Sequence, residues 1–147
     1  TCQLLTDCLC CQAREAGSFL ASIAKTHAGT EKSLAFLAGG ETVVKLTGKG
    51  LGGRNQELAL AAAPGISGLR DTAVFSFGSD GTDGPTDAAG GIVDGETEEK
   101  LRALGIRTAD VLQENDSYHA LEKVDGLIVT GATGTNVNDL AMVLIRR

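Results

Sequence analysis

The chain has 147 residues, 42% of them hydrophobic and 22% charged, a length that bounds it at one domain and a composition that excludes wholesale disorder. Thirteen Lys and Arg against 19 Asp and Glu leave a net charge of −6, which excludes a broad nucleic-acid surface because phosphate contacts need clustered cations. With no Trp and one Tyr there is almost nothing on which single-stranded bases could stack, and no apolar run reaches the roughly 18–20 residues of a bilayer span.

No Met precedes Thr1, and no basic stretch leads into an apolar one as in a secretory leader; the chain reads as a fragment or a processed product. Residues 1–6 predict a short strand. Cys2, Cys8, Cys10 and Cys11 crowd around it. They lack the separated pairs of a closed zinc site, and they lie too close together to staple a distant loop. Plain thiols in a reducing compartment are the expectation, which makes the protein cytoplasmic. Residues 12–28 predict a helix with Ala16, Phe19, Leu20, Ile23 and Ala24 on its inner face, capped by Gly29. Strands follow at 33–38 and, after Gly39-Gly40, at the β-branched 42–47. The glycine-rich residues 48–53 lead into a helix over 54–63 that Pro64 stops. Residues 72–77 predict a buried strand running into an acidic loop at 78–87. Helices follow over 97–104 and within 110–121, the second started by Asp116 or Ser117. A strand at 127–130, a loop at 131–136 and a strand at 141–145 close the chain.

Strands alternating with helices mean an α/β class: a layered sheet with helices on its faces, in a single domain. Three glycine-rich loops, 48–53, 78–87 and 131–136, each follow a predicted strand. Ligands of open α/β sheets bind beyond strand ends, so the three loops together predict a site.

In the first loop Gly48, Gly50 and Gly53 fit G-x-G-x-x-G. The acidic residue a dinucleotide site wants about 20 residues on is out of place, since Asp71 precedes the next strand and Asp80 comes late. Arg54 and Asn55 stand where a P-loop has Lys and Ser or Thr. What remains is a backbone that lets N–H groups approach an anion at a helix N-terminus, with Lys49 and Arg54 supplying full charge. The plainer alternative is a tight turn with two solvated cations. In the second loop Asp80, Asp83 and Asp87 either hold magnesium or cap turns. The third offers Thr133, Gly134, Thr135 and Asn136, uncharged groups suited to hydroxyl or phosphate oxygens. His119 is either a general base or a surface residue. Glycines, cations and carboxylates without a nucleophile point to phosphoryl transfer, which needs positioning and charge neutralisation more than covalent help.

Gly39-Gly40-Glu41-Thr42, the run from Gly48 to Glu57, the run from Ser79 to Gly90, Asn115-Asp116-Ser117-Tyr118 and the run from Thr133 to Asp139 together resemble the MOFRL domain, the C-terminal domain of the class II glycerate 2-kinases. The resemblance implies a mixed α/β domain over residues 37–147, with 1–36 as a strand and helix leading into it. It implies a Rossmann-like N-terminal domain facing this one across a cleft, absent from the sequence in hand. It further implies ATP-dependent phosphorylation of D-glycerate to 2-phosphoglycerate with Mg2+. By position, Arg54 is then the catalytic arginine. Asp80, Asp83 and residues 133–136, again by position, line the same cleft. The residues themselves make Lys49, Gly50, Gly52, Gly53, Asn55, Thr133, Gly134, Thr135 and Asn136 the expected substrate or phosphate contacts, and Asp80 and Asp83 the expected metal ligands. The expected partners are glycerate, the nucleotide and the N-terminal domain, with no nucleic acid and no membrane. Two alternatives stand beside the kinase: an NAD(P)H-dependent hydroxypyruvate reductase and a non-catalytic ligand-binding domain. The isolated fragment is expected to be inactive.

Overall fold

Strand β1 (Cys2–Leu9) opens the computed structural model, which describes residues Thr1–Arg147. It is followed by α1 (Ala13–Thr26), β2 (Leu34–Gly40), α2 (Arg54–Ile66), β3 (Thr72–Gly78) and β4 (Gly90–Asp94). Then come α3 (Thr97–Ala103), α4 (Thr108–Glu114), α5 (Ser117–Glu122), β5 (Leu127–Ile128) and β6 (Asp139–Ile145). The six strands form one sheet in the order β1-β2-β6-β3-β4-β5. Only β1 and β2 run parallel; the other pairs are antiparallel. This is the mixed layered α/β sheet expected from the sequence. Residues 1–36 are part of it, since β1 is an edge strand of the same sheet and α1 lies in the same core.

The helix layer lies against the sheet face carrying Phe36, Val74 and Val143, all buried. Each such fully buried side chain contributes roughly 1.5–3 kcal/mol of transfer free energy. Helices α1 and α2 meet along small residues. A Cβ on Gly17 would stand 2.1 Å from the Leu58 carbonyl oxygen, and one on Gly65 would stand 2.7 Å from Ala21 Cβ. The buried face of α1 is accordingly Ala13, Ala16, Gly17, Leu20, Ala21 and Ala24. Phe19, predicted inside, is 58% exposed, because the close helix pairing selects the small-residue stripe over the bulkier one. The opposite sheet face is also apolar. Leu4, Leu37, Met142, Phe75 and Ile92 are successive register partners across five strands. No helix is long and apolar enough to cross a membrane.

Helix α4 over Thr108–Glu114 had no counterpart in the expected elements, and three further elements differ from expectation. Residues 42–47 make no strand, only an isolated bridge between Val43 and Gln12. Gly40, at φ 142°, turns the chain out of the sheet in a conformation other residues rarely adopt. Pro64 does not end α2, which runs to the buried Ile66; a proline in the last turn removes one hydrogen bond, and packing against α1 outweighs it. Strand β4 hides behind Gly90 and Gly91. Their missing side chains are required, since a Cβ on Gly90 would lie 1.8 Å from the Ser76 carbonyl oxygen.

Candidate functional site

At one edge of the sheet β2 ends at Gly40, β3 ends at Gly78 and β6 begins at Asp139, and the register sets the three side by side. With glycine on both flanks, the Asp139 carboxylate has room to face Arg54, the first residue of α2. Arg54 grips it with two parallel bonds, Nε to Oδ2 at 2.5 Å and Nη2 to Oδ1 at 3.0 Å. Glu41 stands 3.6 Å away on another side. The bond to Asp139 is the largest influence on the guanidinium and raises its pKa above the ordinary value. Nη1 donates to no protein atom, so the fork is fixed on one edge and open on the other. Arg54 lines a cavity of about 660 Å³, together with Glu41, Thr42, Gly48, Gly50, Gly52, Gly53, Glu57 and Asn115, among others.

The glycine-rich loop beside Arg54 divides in two. The N–H groups of Gly48, Lys49, Gly50 and Leu51 donate to Asn115 Oδ1, Glu114 Oε1, the Glu114 carbonyl oxygen and Asp116 Oδ1. Those of Gly52, Gly53 and Arg54 have no acceptor in the protein. The next two, of Asn55 and Gln56, donate to the Asp83 carboxylate at 3.0 and 2.9 Å. Three unpartnered donors at the start of a helix, bracketed by occupied ones, are groups that could receive an anion. Lys49 is exposed and is not among the lining residues, so the only full positive charge lining the cavity is that of Arg54.

Asp83 is a cap borrowed from another loop. Helix α2 starts after Gly53 with no side-chain cap of its own. Asp83, 1% exposed, accepts from both backbone N–H groups and from the side-chain amides of Asn55 and Gln56. Burial pushes its carboxyl above the ordinary range against the pull of those donors. Oxygens so saturated do not fit a metal ligand. Asp80 does not complete a pair: it is only partly exposed, and its Oδ1 takes the N–H and hydroxyl of Thr82, which lower its pKa. No three His, Cys, Asp or Glu side chains gather into a metal-holding group. Asn55 is likewise internal, its amide engaged by Asp83 and by the Ser76 hydroxyl, so the structure gives it a packing role in place of the expected phosphate contact. Thr133, Gly134, Thr135 and Asn136 lie outside the cavity lining. Thr133 binds the Ser79 carbonyl oxygen and Val137 N–H binds Ser79 Oγ, so this loop is stitched to the acidic one.

Residues 34–139 match the MOFRL family. The chain belongs to the MOFRL family. The MOFRL chain is 53% identical to a D-glycerate 2-kinase of Thermotoga maritima, over 97% of this chain and 35% of that protein. It is 48% identical to a glycerate 2-kinase of Pyrococcus horikoshii, over 97% of this chain and 33% of that protein. A crystal structure of a Thermotoga maritima glycerate kinase superposes with a TM-score of 0.95 at 52% identity, over 99% of this chain and 36% of that one. The MOFRL chain thus spans about a third of the length of these relatives.

Of the residues that shape the MOFRL site, Asn115 and Glu57 were not singled out as site residues from the sequence, and His119 was weighed as a general base. Asn115 ends α4 at φ 56°, where Asn is tolerated better than most residues. Its Oδ1 takes the Thr47 and Gly48 N–H groups, and its Nδ2 donates to the Lys45 carbonyl oxygen and to Glu57. Glu57, 3% exposed, is held in turn by Arg14 from α1 at 2.9 Å; burial raises its pKa above the ordinary carboxylate value. His119 binds Asp116 at 2.7 Å and so steadies the carboxylate that holds Leu51. The repeated Asn-Asp pairs, Asn115-Asp116 and Asn138-Asp139, were the one available hint, since such residues commonly bond nearby backbone.

Proposed function

We propose that the chain is the C-terminal part of a D-glycerate 2-kinase, one wall of a cleft completed by an N-terminal domain in a longer cytoplasmic protein. In this reading the γ-phosphoryl group leaves ADP and bonds to the 2-hydroxyl oxygen of D-glycerate, which gives up its proton, yielding 2-phosphoglycerate. One observation carries it: an arginine clamped on one edge by Asp139, open on the other, beside three unpartnered N–H groups. Such donors need no reorganisation as charge grows on the transferred group, and electrostatic preorganisation of this kind is the main catalytic resource in phosphoryl transfer. ATP supplies the phosphoryl group when bound. Asp80 and Asp83 do not fit a magnesium pair, and no step is assigned to that ion through them.

The reductase reading finds less support. The glycine loop does not follow a strand of the sheet. Asp71, the nearest candidate for a ribose, lies at the far end of β3, paired with Arg146.

The test is a chimera in which this chain replaces the matching third of the Thermotoga maritima D-glycerate 2-kinase. D-glycerate should drive ADP release by the chimera but not by the isolated chain, whose loops supply one wall only. Arg54→Ala should lower turnover by roughly two to three orders of magnitude, with little rescue by Arg54→Lys, because an ammonium cannot reproduce the fork. Undiminished turnover in the alanine chimera, or NADH oxidation with hydroxypyruvate in place of ADP release, would overturn the proposal.

A further inference from the structure

Thr42 follows Glu41 on the extended segment that leaves the sheet, and it lines the same cavity as Gly52, Gly53 and Arg54. It is 5% exposed, and its Oγ1 is sealed from solvent with no hydrogen-bond partner. Buried hydroxyls are nearly always paired, so an orphan of this kind asks for an explanation. Valine has the same shape without the hydroxyl, and it would rest in that place without the desolvation cost. The neighbouring backbone offers no reason for a threonine either. Val43 N–H bonds the Cys11 carbonyl oxygen, and the Val43 carbonyl oxygen accepts from Ala13, so the chain next to Thr42 is pinned by main-chain bonds that do not use its side chain. A staggered step about χ1 is the motion the sealed hydroxyl would need to face the cavity.

We infer that Thr42 is a ligand-contacting residue, its hydroxyl donating to an oxygen of the anion seated on Gly52, Gly53 and Arg54. The inference rests on the anion site of the proposed function and adds to it the group from the facing wall. Arg54 and the three N–H groups approach from α2, and Thr42 closes on the same anion from the side of β2. A bound anion supplies the hydroxyl with the partner that the protein itself does not.

The test uses the full 147-residue chain, labelled with 15N and titrated separately with inorganic phosphate and 2-phosphoglycerate, following the Gly52, Gly53 and Arg54 amides. Thr42→Val should raise the melting temperature of the ligand-free chain by about 2–4 °C and weaken 2-phosphoglycerate binding about tenfold. Thr42→Ser should bind within about twofold of the original. A gain in stability coupled to a loss of affinity separates this role from a structural one, which would lose both. Equal affinity in the valine variant, or a valine variant that melts lower or fails to fold, overturns the inference while leaving the anion site intact. Amides that move with neither probe in the unaltered chain overturn the anion site and the inference together.

Discussion

Residues 48–51 and 52–54 are neighbouring stretches of one glycine-rich loop, and the fold uses them in opposite ways. In the first, every N–H is taken by Glu114, Asn115 or Asp116. In the second, none has an acceptor. The difference teaches that the free donors depend on the occupied ones. A loop of glycines is entropically costly to order, and three aligned N–H groups stay aligned only because both ends are held. Asn115 and Asp116 hold the N-terminal end, and Asp83 holds the C-terminal end through Asn55 and Gln56.

The strongest way to break this contrast is to remove Asp83. Asp83→Ala should cost roughly 3–5 kcal/mol, because buried donors at the start of α2 lose their charged acceptor. Urea unfolding measures it, and a loss below about 1 kcal/mol would mean that the cap is dispensable. Next is Asn115, which couples residues 45–48 to Glu57. Asn115→Gly keeps the left-handed backbone conformation and removes the side chain. It should cost about 2–3 kcal/mol, speed amide exchange at Thr47 and Gly48, and shift the amide resonances of Gly52 to Arg54 as the loop loses its N-terminal hold. Unmoved resonances at Gly52 to Arg54 would show that the free donors do not depend on Asn115.

Single methyl groups sharpen the comparison. A Cβ on Gly50 would stand 2.4–2.7 Å from Cβ, Cα and N of Asp116, whereas one on Gly52 would meet the Ser117 hydroxyl at 2.3 Å. A hydroxyl can rotate away and backbone cannot, so Gly50→Ala should destabilise more than Gly52→Ala, by about 1–2 kcal/mol.

The smallest effect expected is on pH dependence. Glu57 has a raised pKa in the fold, with burial as the first cause. The folded chain therefore holds this proton more tightly than the unfolded one. Its contribution to stability is fully present below the unfolded carboxylate pKa and is lost as pH rises through the folded value. Glu57→Gln should flatten that decline in urea melts run from acid to neutral pH, and an unchanged slope would assign it to other groups.

Much of the fold was legible in the sequence. Apolar runs and glycine stops located β2, β3, β6, α1 and α3 to within a few residues. The strand expected at 42–47 failed because β-branching reports fitness for a pleated surface, not the presence of a partner strand. Strand β4 was missed because a strand that must admit Ser76 and Leu121 against its glycines lacks the residue types by which strands are recognised. At the site, the motif pointed to Arg54 and to the glycines. It did not separate Asp80, partly exposed and bonded to Thr82, from Asp83, buried as a cap, since both are loop aspartates three residues apart. Nor did it single out Asp139, Asn115 or Thr42, whose roles arise from partners 58 to 85 residues away or from the lack of any partner.

By itself the sequence determined the alternation of elements, the glycine freedom at the loops and the presence of an arginine at a helix start. These are local properties, set by side-chain period, backbone conformational range and the unpaired N–H groups at any helix N-terminus. Only the tertiary structure decided which donors stay free and which carboxylates are consumed. It also decided that β6, last in the chain, lies between β2 and β3 and brings Asp139 to Arg54. Hydrogen-bond capacity is satisfied by whatever the fold places within about 3 Å, and elements distant in sequence meet there for reasons of packing that no local pattern encodes.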